Sequence, residues 1–293
     1  MLYVRSLQTL TTKAILRRME GREQAKQVLK ERYAELSKHA HYQTVPEVLA
    51  EKLGIQFEVN EEWRGDRPRY PLILDYARKH QVRKILDVGA NTGFFSLSLA
   101  ADIEDAAITA CELNKTHAEI IQLFTELGGY ANISVTDRPA DLKNVDSFGL
   151  FDLALHLNIL HHAGHDFDRE HVPDRDAFMA YAVDYLTRFG TTTRRMVFQM
   201  GYNWGGDKTV PLVGRDDQAG KIKFTVELLQ RSGWDIEQVA LAKPGTGMSP
   251  VEYELVPLNE LLSQGDLQIW CIERYGAKVW SEFYQRPLWF CRY

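Results

Sequence analysis

Lys84-Ile85-Leu86-Asp87-Val88-Gly89-Ala90-Asn91-Thr92-Gly93-Phe94-Phe95-Ser96 decides the fold. It begins as a short apolar run, the pattern of a strand buried on both faces. An acid, two glycines four apart and an apolar helix-like segment, Phe94 to Ala101, follow. Glycine permits positive φ and lets a ligand approach with no Cβ in the way. The helix after such a turn offers unpaired N–H groups at its start. Asn91 stands between the glycines, and asparagine is among the few other residues that tolerate the left-handed region. A dinucleotide fingerprint needs Gly-x-Gly-x-x-Gly, and no glycine falls three residues after a Gly-x-Gly pair here. A generic nucleotide-binding turn is the simpler alternative.

Downstream, Ala107 to Leu113 reads as a second buried strand with Glu112 at its end. A carboxylate there can accept both ribose hydroxyls of an adenosine cofactor, or it can cap the next helix. Asn114 is the better N-cap for that helix, Lys115 to Leu127, which Gly128-Gly129 ends. Ile133 to Thr136 is a short third strand. Asp137 and Asp141 follow it, either of them suited to a turn. Next comes Phe151-Asp152-Leu153-Ala154-Leu155-His156-Leu157-Asn158-Ile159-Leu160-His161-His162, a fourth strand and its exit.

These stretches resemble a known family. Asp87 to Gly93 resembles motif I of the class I S-adenosylmethionine-dependent methyltransferases, an acid and then Gly-x-Gly-x-Gly, with Asn91 in place of the middle glycine. Phe151 to His162 resembles motif IV. The likeness spans about residues 70 to 242 plus the last strand, Pro287 to Tyr293. It implies an α/β fold, a doubly wound and mostly parallel sheet of seven strands, with the seventh antiparallel between the fifth and sixth. An N-terminal helical extension (1–68) would precede a methyltransferase-like domain (69–293) with an insertion at about 243–285. The resemblance implies S-adenosyl-L-methionine as cofactor. Gly89, Asn91 and Gly93 would form its turn, Asp87 would help hold the methionine portion, Glu112 the ribose, and Asp137 or Asp141 the adenine. Asn158 belongs with these cofactor residues.

His161 and His162 leave the fourth strand at the end where open α/β sheets bind ligands. A histidine there could take the acceptor's proton as the methyl arrives; equally, it could pack under the cofactor while proximity does the work. His165, Asp166, Asp168 and His171 follow, a polar loop matching no zinc spacing, and no metal is expected. Motif IV lacks an Asn-Pro-Pro-Tyr form, so a small-molecule or glycan acceptor and an O-methyl product are expected. The aromatic loop Gly201 to Lys208 and the Gly-Asp-Lys-Thr-Val-Pro-Leu run also look somewhat like enzymes that alkylate wobble uridine in tRNA, which makes RNA the alternative acceptor. An NAD-binding or non-catalytic Rossmann-like protein is the third reading. Tyr202 and Trp204 would be either acceptor walls or packing.

Composition fits this. The 293 residues are 45% hydrophobic and 26% charged with a net charge of −5, so the surface as a whole is not built for nucleic acid. Residues 1–40 are locally basic, and the first 19 hold Arg5, Lys13, Arg17 and Arg18 with no acid. A basic amphipathic helix is expected there, with a mitochondrial presequence as the alternative. Three cysteines form neither metal spacing nor a disulfide framework, which fits a reducing, cytoplasmic setting. No run reaches the ~18 apolar residues of a membrane span. Residues 7 to 40 read as helix, Pro46 to Leu53 as a second, Glu61 to Pro71 as linker and Leu72 to His80 as helix. Later elements are helices Arg175 to Phe189 and Phe224 to Ser232, and strands Arg195 to Met200 and Trp234 to Ala242.

Overall fold

The computed structural model describes residues 21–32, 45–54, 66–244, 251–275 and 282–293. A helix runs through residues 21–32, followed by α1 (Glu47–Leu53) and α2 (Asp66–Lys79). The sheet-forming part is β1 (Lys84–Val88), α3 (Phe94–Asp102), β2 (Ala107–Cys111), α4 (Lys115–Gly128), β3 (Ile133–Thr136), β4 (Leu153–Leu157), α5 (Phe178–Phe189), β5 (Arg195–Gln199), α6 (Gln218–Arg231), β6 (Asp235–Pro244), β7 (Val251–Val256), α7 (Leu258–Leu262), α8 (Leu267–Tyr275) and β8 (Leu288–Arg292).

One sheet runs in the order β3-β2-β1-β4-β5-β8-β6-β7. The first five strands are parallel, and β8 enters antiparallel between β5 and β6, as the resemblance implied. Among the described residues the sheet has eight strands, not seven. The extra one, β7, lies inside the expected insertion and forms an antiparallel hairpin with β6. Among the described residues of that insertion two short helices follow, so it continues the sheet and then covers it.

Apolar runs become central strands because both faces are covered. Ile85, Leu155 and Val197 face α2 and α3 through Ile73, Phe94 and Phe95. Leu86, Ala154 and Met196 face α5 and α6 through Phe178, Tyr185 and Ile222. On the outer side of α4, Leu29, Leu49 and Leu53 pack on Ile120 and Phe124, which anchors the N-terminal helices beside β2 and β3. Val88 is level with Cys111 in β2 and with His156 in β4, so the turns after these strands open on one edge.

The expected linker Glu61 to Pro71 is corrected in its second half, because α2 begins at Asp66 and the 68/69 boundary falls inside it. Pro68 sits in the first turn, where its missing N–H costs nothing. Pro71 removes one helical bond, and the buried Asp66, Arg69, Ile73, Tyr76 and Ala77 hold the helix regardless. Helix α5 starts three residues later than expected, with Asp174 accepting the N–H of Ala177 at 3.0 Å. Helix α6 starts six residues earlier, at the Asp217 cap. Tyr33, Leu36, Trp63, Gly65, Gly245, Gly247 and Pro250 lie outside the described residues. Among the described residues no helix is long and apolar enough to cross a membrane.

Candidate functional site

Gly89, Asn91 and Gly93 all adopt positive φ, at 67°, 52° and 87°. Asn91 therefore does take the left-handed conformation that a glycine would fill. The N–H groups of Gly89 and Ala90 both reach the Cys111 carbonyl, at 2.9 and 3.0 Å, which ties the turn to β2. A Cβ on Gly89 would overlap the Ile159 side chain, and one on Gly93 would lie 2.9 Å from Ile121. The turn is thus cradled between the β4 exit and α4.

Glu112 bridges two loops. Its Oε2 accepts the N–H of Asn91 at 2.7 Å and its Oε1 that of Asn114 at 2.8 Å. With the Leu113 N–H also close, the carboxylate still has acceptor capacity for a hydroxyl donor. Burial raises its pKa, and the backbone donors Asn114, Asn91 and Leu113 oppose that. Asn114 itself caps α4 through the N–H groups of Thr116 and His117, as expected. Asp87 lies under the turn, 3% exposed, with Oδ2 accepting the Ser96 hydroxyl at 2.6 Å. Burial pushes its carboxyl up to about 6 against the Ser96 bond, and the Glu112 charge adds to the rise. Asp137 is exposed at the β3 exit. Asp141 uses Oδ1 to accept from the backbone and side-chain nitrogens of Asn144, at 3.0 and 2.7 Å.

The β4 exit turns through Asn158, whose φ is 62°, into a 3-10 turn at Leu160–His162. His161 is 2% exposed and its Nδ1 accepts the Gly201 N–H at 3.1 Å. That bond leaves the ring proton of the neutral form on Nε2. The His162 side chain is 30% exposed, with Nδ1 3.0 Å from Asp166 Oδ2. The two rings lie 4.2 Å apart. His156, inside β4, is a core residue: fully buried, with burial lowering its pKa to about 4. The aromatic loop is packing rather than an open wall. Tyr202 is 2% exposed with its hydroxyl on Thr225, and Trp204 donates Nε1–H to the Ala163 carbonyl at 2.8 Å and lies against His165. Among the described residues, the ligand atoms of Asp168, Glu170 and His171 lie within 4.8 Å of one another. Asp168 already accepts from the Tyr181 hydroxyl and the Leu142 N–H.

A second set of polar residues, apart from Asn158, had no sequence signal. Arg69 of α2, 2% exposed, pairs with Asp66 and donates to Gln199 Oε1 at 2.7 Å. Its guanidinium lies about equally close to the rings of Phe95 and Phe283, 5.1 and 5.0 Å from their centroids. Gln199, at the end of β5, also accepts from Asn158 Nδ2 at 3.0 Å and donates to the Arg286 carbonyl at 2.8 Å. Arg286 Nη1 donates to Asn158 Oδ1 at 2.9 Å. Lys221 is 1% exposed and donates to the Arg215 carbonyl and Gln285 Oε1. Burial lowers its pKa to about 8. This network joins α2, β4, β5, α6 and the segment entering β8 at the same sheet edge as Gly89.

No family model matches the chain, and no curated protein matches it. Among solved structures, WbdD, described as a bifunctional kinase-methyltransferase, is 20% identical at a TM-score of 0.48, over 78% of this chain and 46% of that one. This chain therefore spans less than half of the WbdD chain. The magnesium protoporphyrin IX methyltransferase of Synechocystis PCC 6803, solved with bound SAM, is 12% identical at a TM-score of 0.47, covering 82% of this chain and 87% of that one. The precorrin-6y C5,15-methyltransferase of Geobacter metallireducens is 10% identical at a TM-score of 0.46, over 81% and 94%. The strand order itself, with β8 reversed between β5 and β6, is the one that the sequence resemblance implied.

Proposed function

We propose that the chain is an S-adenosylmethionine-dependent methyltransferase that O-methylates a small-molecule or sugar-containing acceptor. The observation that carries this reading is the Glu112 bridge. One half-buried carboxylate fixes the left-handed Asn91 turn and the start of α4, and still offers an acceptor face where a ribose would lie. Bound there, the cofactor supplies a methyl group already activated by its sulfonium. The protein's work is to bind, align and exclude water. Gly89 and Gly93 keep the turn free of side chains, and Ile159 closes it toward β4. Asp137, exposed at the β3 exit, suits the adenine better than Asp141, whose Oδ1 is engaged by Asn144.

His162 is the base of this reading. It is the more exposed histidine, it lies at the β4 exit with Asp166 3.0 Å from its Nδ1, and it would take the acceptor proton. His161 positions the β5 exit through Gly201. The three described cysteines are free and buried, in keeping with a reducing cytoplasm.

Calorimetric titration of S-adenosylhomocysteine and NADH, separately, tests the assignment. Micromolar binding of the first, lost in Glu112→Ala, is expected; preference for NADH, or no binding of either, overturns it. Once an acceptor is found, His162→Ala should lower kcat by about 10²–10⁴ and flatten the acid limb of the pH–rate profile. An unchanged profile would return the histidines to a packing role.

A further inference from the structure

The acceptor end of the sheet edge brings together three largely buried cations, Arg69, Lys221 and Arg286, with Asp66 and Glu282 beside them and the exposed Asp216 and Asp217 near Lys221. Two of the cations are well engaged. Lys221 is held by Arg215 and Gln285, and Arg69 by Asp66 and Gln199 between two aromatic rings.

Arg286 is different. Its side chain is 15% exposed and Nη1 is on Asn158. Nη2 stands 3.9 Å from Glu282, beyond hydrogen-bond reach, and Glu282 accepts from Asn203 instead. Nε is buried with no acceptor among the described residues. A guanidinium presents five donors in a planar fork that matches an oxyanion, and leaving part of that fork empty in a buried place is costly.

The fork's position suits the acceptor. Arg286 Nη2 and His161 Nε2 converge over Gly201, within 3.0 and 2.5 Å of the point a Cβ there would occupy. Asn158, which holds the fork, is the neighbour of Ile159, which covers Gly89 of the cofactor turn. The empty edge therefore lies beside the histidine turn and one residue from the proposed donor site.

We propose that Arg286, steered by Asn158, receives an oxyanion, a carboxylate or phosphate, carried by the methyl acceptor. The substrate class is then an anionic small molecule or acidic sugar derivative. This rests on the methyltransferase reading. The other source of an oxyanion is the amino-acid carboxylate of the donor itself.

The test titrates acetate and inorganic phosphate into the full chain, with and without saturating S-adenosylhomocysteine, for the wild type, Arg286→Met and Asn158→Asp. The second variant keeps the arginine and a residue type that tolerates positive φ, but sets a carboxylate against the fork. Saturable anion binding to the loaded wild type, weakened about tenfold or more in both variants, with S-adenosylhomocysteine affinity unchanged in Arg286→Met, is expected. No anion binding, or equal binding by all three proteins, overturns the proposal. So does an Arg286→Met protein that loses S-adenosylhomocysteine but keeps 5′-methylthioadenosine, which lacks the amino-acid part; that result assigns the fork to the donor. If the wild type takes up no S-adenosylhomocysteine, the methyltransferase reading is what fails, and the titration without it decides the Arg286 site alone.

Discussion

The turn after β1 and the exits of β4 and β5 open on the same sheet edge, yet they are held in different ways. On the β1 side the geometry is made by backbone: three positive-φ residues within five, with N–H groups on the Cys111 carbonyl and on Glu112. On the β5 side it is made by long side chains from distant segments, meeting at Gln199 and Asn158. A ligand common to many chains can be met by a turn whose shape depends on few residues. A particular acceptor needs side chains of particular charge, brought in from wherever the fold supplies them. The difference predicts that substitutions on the β5 side act mainly through buried charge, and those on the β1 side through proton linkage and backbone strain.

Arg69→Met should show the largest effect. It removes the guanidinium shared by Asp66 and Gln199 in a 2% exposed position, and breaking a buried pair costs about 3–5 kcal/mol. Urea unfolding measures it; a loss under about 1 kcal/mol would mean that the arginine network does not hold this side together.

Asp87 comes next. Burial keeps its carboxyl at about 6 in the folded chain, against an ordinary value of 3.8. Below both values each state holds the proton. Between them only the folded state does, so stability falls as pH rises through the window, by up to about 1.4 kcal/mol per pH unit. Asp87→Asn should abolish that slope in denaturant unfolding across the window, and an identical slope in both proteins would show that Asp87 ionises normally.

The smallest effect is at the turn itself. Asn91→Ala should cost about 1–2 kcal/mol, because the alanine must sit at a φ of 52°. Asn91→Gly should cost little by the same measurement. Equal losses in the two variants would mean that the asparagine side chain, not its backbone, matters there.

The two sides also differed in how far the sequence disclosed them. The β1 turn was legible because its determinants are adjacent: apolar run, acid, glycines, then Asn114 two residues after Glu112. The histidine turn was legible as the exit of an apolar strand. The arginine network was not, since Arg69 and Gln199 are 130 residues apart and Arg69 lies between two prolines that read as linker. Arg286 belongs to a stretch with no motif, and nothing local distinguishes a buried arginine from a surface one. Strand β7 was missed because Val251–Val256 has no partner pattern of its own until it folds back on β6. The role of Tyr202 and Trp204 was open in the sequence because it depends on Thr225 and Ala163, contacts that only the tertiary structure supplies.

The placement of β8 has a consequence for how the chain is assembled. Both β5 and β6 pair with β8, and among the described residues it is through β8 that the β6–β7 hairpin joins the parallel strands of the sheet. Until β8 arrives, two apolar strands present bare hydrogen-bonding edges in the middle of the future sheet, a state open to mispairing and aggregation. Shortened chains lacking Leu288–Arg292 should therefore be retained by chaperones or found in inclusion bodies, even though every residue of the β1 turn would still be present.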